Sequence, residues 1–129
     1  MSGSYLLDTN IVIALFAGEK PVLDRLKNTR EIYIPSVVIG ELYYGAHKSG
    51  QTSINLQRIE DFVASNTILA CDTVTAFHYG KIKDNLRQKG KPIPENDVWI
   101  AAIAVQFDHT LVSRDEHFKQ IENLSLVVW

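Results

Sequence analysis

The chain predicts an α/β fold built on a mostly parallel central sheet. Two observations carry this. Short apolar strands alternate with segments of helical periodicity over short loops, a pattern that implies parallel strands joined by right-handed crossovers. In addition, acidic residues stand where strands end and helices begin, the edge at which open α/β sheets bind ligands.

The elements follow in order. Tyr5 to Leu7 reads as a short buried strand, broken by Asp8-Thr9-Asn10, which is turn or helix-cap chemistry. Ile11 to Phe16 continues as a helix stopped by Ala17-Gly18, and Pro21 suits the first position of a second helix. Ile32 to Ile34 is the second strand. The helix from Ser36 buries Val38, Ile39, Leu42, Tyr43 and Ala46, and Ser49-Gly50 ends it. A further helix carries Ile54, Leu56, Ile59, Phe62 and Val63 up to Asn66. After a strand over Thr67 to Ala70, Asp72 or Thr73 caps a long helix whose buried side should hold Ala76, Phe77, Ile82 and Leu86. Gly90 closes that helix, Pro92 and Pro94 forbid its continuation, and Asp97 opens the next one. Thr110 to Val112 and Ser125 to Val128 supply the last strands, with a brief helix around Glu116 to Gln120 between them. With no repeat, linker or low-complexity stretch, residues 1–129 read as a single domain.

Four carboxylates stand beside apolar stretches: Asp8, Glu41, Asp97 and Asp115. Converging carboxylates repel by roughly 4 kcal/mol per close pair at an effective dielectric near 20, so a protein that gathers several does so to hold a hard divalent cation. Each acid also has an ordinary reading. Asp8 suits a turn cap, Glu41 a helix edge facing water, and Asp97 a helix N-terminus where the dipole welcomes an anion. Asp115 lies inside Ser113-Arg114-Asp115-Glu116, a capping box that Ser113 and Glu116 satisfy between them, leaving Asp115 for other work. Thr9 and Asn10 are placed to hold a carboxylate or a water by hydrogen bonds, and Asn10 alternatively caps the helix at Ile11. Arg114 suits a neighbouring carboxylate, a phosphate or plain solvent.

Composition narrows the function. A net charge of -2 and a pI near 6.0 exclude a globally basic steering field, so nucleic-acid binding would rest on local patches or on metal. The basic segment Lys81, Lys83, Arg87, Lys89 and Lys91 reads first as a solvated helix face, with Lys83 and Arg87 on one stripe that suits phosphate contacts. His47, His78, His109 and His117 show no metal-ligand spacing. The lone Cys71 reads as a small buried thiol in a reducing cytoplasm. No apolar run approaches the roughly 20 residues of a membrane span, and Met1 to Ser4 lack signal-peptide character.

Four segments together resemble the PIN domain, and specifically the VapC-type toxin ribonucleases. They are Leu6-Leu7-Asp8-Thr9-Asn10, Ile39-Gly40-Glu41-Leu42-Tyr43-Tyr44-Gly45-Ala46, Asn96-Asp97-Val98-Trp99-Ile100-Ala101-Ala102 and Leu111-Val112-Ser113-Arg114-Asp115. The resemblance covers nearly the whole chain. It implies a Rossmann-like fold, Mg²⁺- or Mn²⁺-dependent endonucleolytic cleavage of RNA, a homodimer, and inhibition by a cognate antitoxin in a toxin–antitoxin pair. Asp8, Glu41, Asp97 and Asp115 match the family's acidic positions and Ser113 its small hydroxyl. Asp8 and Asp97 are then expected to ligate the principal cation, with Glu41 and Asp115 completing the cage and one of these two orienting the attacking water. A rival reading, an aspartate-nucleophile phosphatase using Asp8, wants a second acid where Asn10 stands. A non-catalytic module of the same fold is the other rival, and the intact acids argue against it.

Overall fold

The structure, a computed structural model, describes residues 3–129; Met1 and Ser2, on which the reading of the amino terminus partly rests, lie outside the described residues. Five strands form one sheet: β1 (Ser4–Leu7), β2 (Glu31–Pro35), β3 (Thr67–Leu69), β4 (Thr110–Val112) and β5 (Leu126–Val127). Their order is β3-β2-β1-β4-β5 and every pairing is parallel, so the expected mostly parallel sheet is wholly so among the described residues. Leu6 sits between Tyr33 and Leu111 in the register. Six helices flank the sheet: α1 (Thr9–Phe16), α2 (Lys20–Lys27), α3 (Ser36–Lys48), α4 (Thr52–Ala64), α5 (Thr73–Gln88) and α6 (Glu95–Phe107). A 3₁₀ helix spans Glu116–Gln120.

This order has one functional consequence. The chain runs outward from β1 through β2 to β3, then returns to place β4 on the other side of β1. The reversal lies between β1 and β4, and a crevice opens at the carboxyl ends of strands at such a switch point. Asp8 follows β1 directly, and Ser113 to Asp115 follow β4.

The core joins Leu6, Leu7, Ile34, Leu111 and Val112 of the sheet to Ile11, Val12, Val38, Ile100, Ile103 and Phe118. Helix α6 is buried from Val98 to Ala104 apart from a half-exposed Trp99, and its alanines at 101, 102 and 104 allow close approach of its neighbours. Its first turn leaves Glu95 and Asn96 exposed and turns Asp97 inward. It begins at Glu95, two residues before the expected start, which makes Asp97 the third residue of the first turn rather than the opening one.

Helix α5 corrects a second expectation. Its inward stripe is Thr75, Tyr79, Ile82 and Leu86, while Ala76 and Phe77 face solvent, Phe77 with 65% of its surface exposed. Hydrophobicity misplaced the stripe because Thr75 is polar. Its hydroxyl is bonded to Gln106 and Asp72, which removes the cost of burying it. Asp72 is the cap, in a reciprocal box with Thr75. Gly90, at φ +67°, ends the helix as expected. Cys71 is exposed rather than buried, since it lies in the connection between β3 and α5. Among the described residues no helix is long and apolar enough to cross a membrane.

Candidate active site

The four acids come from four separate segments and meet at the switch-point crevice. Asp8 is 4% exposed and Asp97 8%, while Glu41 and Asp115 are half-buried. Asp8 caps α1: Oδ1 accepts from the Thr9 amide at 2.8 Å, and Oδ2 accepts from the Ser113 hydroxyl at 2.7 Å. Its backbone N–H donates to the Val112 carbonyl, locking the end of β1 against β4. Burial raises the Asp8 pKa, the two hydrogen bonds oppose that shift, and the nearby Glu41 and Asp115 charges add to it.

Asp97 is raised too. Loss of solvation pushes its pKa up to about 6, against a hydrogen bond from His117 that lowers it, and the charges of Asp8 and Asp115 reinforce the rise. The side chain meets His117 Nδ1 at 3.2 Å. Glu41 Oε1 accepts from the Thr9 hydroxyl at 2.7 Å, so a helical Glu flanked by apolar residues has its partner on α1. Thr9 thus joins Asp8 to Glu41 through its amide and its hydroxyl.

Ser113 is the hub. Its hydroxyl donates to Asp8, accepts from the Asp115 amide at 3.0 Å, and lies 3.5 Å from the Asn10 side-chain amide. This replaces the expected Ser113–Glu116 capping box. The 3₁₀ helix starts at Glu116, so Asp115 is its cap and accepts from the His117 amide at 2.9 Å, while Ser113 stays in line with β4. Replacing Ser113 by Ala leaves a buried carboxylate oxygen without its donor. That variant should lose about 1.5–3 kcal/mol of stability at neutral pH, read as a lower urea midpoint with unchanged slope. A midpoint within error of the wild type would show that solvent replaces the bond.

The remaining residues fall as follows. Asn10 does not cap α1; its side-chain oxygen accepts from the Arg114 amide at 3.3 Å. Arg114 pairs with Glu19 at 2.9 Å and with the Trp129 carbonyl, and with none of the four acids. Lys83 is bound to Glu95, Arg87 to Asp84 and Lys89 to Glu122, so most of the basic stripe is internally neutralised. Only Asp97 of the triplet Glu95-Asn96-Asp97 turns inward. His117, which spacing in the sequence did not mark, stands inside the cluster. The one sequence signal for it is its place two residues after Asp115, in the turn that leaves β4.

A PIN domain family model matches residues 5–124. The chain belongs to the PIN domain family. Ribonuclease VapC2 of Haemophilus influenzae is 40% identical over 128 residues, which cover 97% of both chains. The tRNA(fMet)-specific endonuclease VapC of Salmonella typhimurium is 31% identical, again over 97% of each. The solved structure of VapBC2 from Rickettsia felis bound to a DNA fragment from their promoter superimposes on this PIN domain with a TM-score of 0.88 and 34% identity, covering 97% of this chain and 98% of that one.

The donor set suits a divalent cation. Asp97, Asp115 and His117 each offer one donor atom, and these atoms lie within 4.8 Å of one another. Asp8 is buried alongside, and hard cations such as Mg²⁺ or Mn²⁺ prefer such oxygen-rich surroundings.

Proposed function

We propose that this PIN domain is a metal-dependent endoribonuclease, the toxin of a type II toxin–antitoxin pair, whose catalytic carboxylates are Asp8, Glu41, Asp97 and Asp115. The observation that carries the reading is the meeting of four acids from four segments at the switch point, two of them buried with raised pKa values. Such a cluster is costly without a counter-charge.

Asp8 and Asp97 are the direct ligands of Mg²⁺ or Mn²⁺ in this reading, and Glu41 and Asp115 complete the cage. When bound, the cation would supply positive charge to activate water and to offset charge developing on the phosphate. The chain's own groups orient the rest. Thr9 aims Glu41, and the Ser113 hydroxyl fixes the distance between Asp8 and the Asp115 backbone. Glu41 or Asp115, the more solvent-accessible pair, is placed to accept a proton from the attacking water. Asn10 is already engaged by Arg114, which argues further against a phosphatase needing an acid there.

The partner in this reading is the cognate antitoxin, in a heteromeric complex, with the toxin chain itself a homodimer and the pair at work in the cytoplasm. An apolar groove of about 380 Å³ runs from Ile13 and Phe16 past Leu42 and Ala46 to Ile59, and Glu41 lines it too. An antitoxin segment laid in that groove would end beside the acids, where an Arg from the partner could take the place of a metal.

The test is cleavage of total RNA, with transfer RNA assayed separately because one relative is named for it. Purified chain should cut with Mg²⁺ or Mn²⁺, stop in chelator, and fall silent when co-purified with the neighbouring gene's product. Cutting that persists in chelator would remove the metal from the reading. A stable pair that cuts as fast as the free chain would remove inhibition by site occupancy.

A further inference from the structure

The tightest group in the crevice is Asp97, Asp115 and His117, and the proposal above uses only the two acids. His117 Nδ1 stands 2.9 Å from Asp115 Oδ1 and 3.2 Å from Asp97 Oδ2. Two ligands at right angles around an ion with bonds of about 2.1 Å are about 3.0 Å apart, the bond length times the square root of two. Both separations bracket that edge. The same spacing suits an N–H···O bond, but a single Nδ1–H cannot serve two carboxylates at full strength. With the proton on Nε2 instead, the Nδ1 lone pair faces the point that both acids also face.

The ring is held there by its own segment. The His117 backbone N–H donates to Asp115 Oδ1, and the next residue, Phe118, is buried and anchors the 3₁₀ helix to the core. Other histidines are engaged elsewhere: His109 stacks on Tyr33 and bonds to Ser4, and His78 packs edge-on against Phe77.

We infer that His117 Nδ1 is a direct ligand of the divalent cation beside Asp97 and that Asp115, assigned above to completing the cage, coordinates directly with it, making a mixed nitrogen–oxygen site that favours Mn²⁺ over Mg²⁺. The inference rests on the metal-dependent reading above and specifies which ion it takes. Mg²⁺ is satisfied by carboxylates and water and gains little from a nitrogen, whereas Mn²⁺ takes the same oxygen ligands and, as a first-row transition ion, also accepts an imidazole nitrogen. A purely carboxylate cage would discriminate less.

The test uses the full chain stripped with chelator and loaded with Mn²⁺ below one equivalent. Pulsed electron paramagnetic resonance of the bound ion should show ¹⁴N modulation from a ligated imidazole, and His117→Gln should lose it. Calorimetric titrations should show Mn²⁺ affinity weakened by about tenfold or more in that variant, while Mg²⁺ affinity changes by less than about threefold. The ring is half exposed, so the variant should fold; if it does not, the wild-type spectrum decides alone. Bound Mn²⁺ without nitrogen modulation, modulation that survives His117→Gln, or an unchanged Mn²⁺-to-Mg²⁺ ratio would each overturn the inference. Where Asp97→Asn still abolishes Mn²⁺ binding, such a result removes His117 alone and leaves the acidic metal site standing. A wild type that binds no Mn²⁺ would take down both.

Discussion

Asp8→Asn and Asp97→Asn should each cut metal-dependent RNA cleavage by at least about a hundredfold while leaving the chain folded. The fold should survive because both substitutions keep shape and hydrogen-bonding capacity. At position 8 an amide oxygen can still accept from the Thr9 N–H, and the amide nitrogen can donate to Ser113, whose hydroxyl accepts as well as it donates. At position 97 the amide still meets His117. What disappears is negative charge where a cation and a phosphate would sit. Asp24→Asn, an exposed acid paired with Lys20, is the control and should cut normally. End-labelled RNA at saturating substrate, with circular dichroism of each variant, makes the comparison. Near-normal cutting by both crevice variants would place the active site elsewhere.

The same carboxylates should strain the metal-free protein, and pH should reveal it. The Asp97 pKa rises from 3.8 to about 6 in the folded chain, above its unfolded value. Asp97 therefore favours the fold fully only below about pH 4, and that contribution is lost as pH rises through about 6. The raised Asp8 pKa acts in the same direction. At pH 8 in chelator, Asp97→Asn should be more stable than wild type by up to about 3 kcal/mol, the advantage shrinking as pH falls to 5. Added Mg²⁺ or Mn²⁺ should reverse the order. It should stabilise the wild type by roughly 2.7 kcal/mol at a hundredfold excess over Kd and stabilise the variant much less. Thermal melts of both proteins at pH 5 and pH 8, with chelator and then with metal, make the comparison. A variant that melts below wild type in chelator at pH 8 would make Asp97 a structural residue of the first turn of α6.

Much of this protein was legible in one dimension. The order of strands and helices follows from local signals: apolar periodicity, Pro21 beside a helix start, and Gly90 at a helix end with Pro92 and Pro94 beyond it. The four acids were visible for the same reason, because each interrupts or adjoins an apolar run and so stands at the end or start of an element. A parallel sheet then brings the carboxyl ends of its strands to one edge, which is why Asp8 and the residues after β4 could be expected together.

Other features depended on contacts no local pattern records. The inward stripe of α5 was misplaced because Thr75 is buried only through its bonds to Asp72 and Gln106, the latter on α6. Ser113 looked like a helix cap and is instead the donor to Asp8, 105 residues away in sequence. His117 looked ordinary, and only the packing of the 3₁₀ helix against the enclosed α6 brings its ring between Asp97 and Asp115. Strand and helix identities are set by neighbours a few residues apart, whereas the partners of a buried polar group are set by whatever the fold carries to it. The sequence by itself therefore determined the architecture and the acids; the tertiary structure decided which acids are buried, what holds them, and that a histidine stands among them.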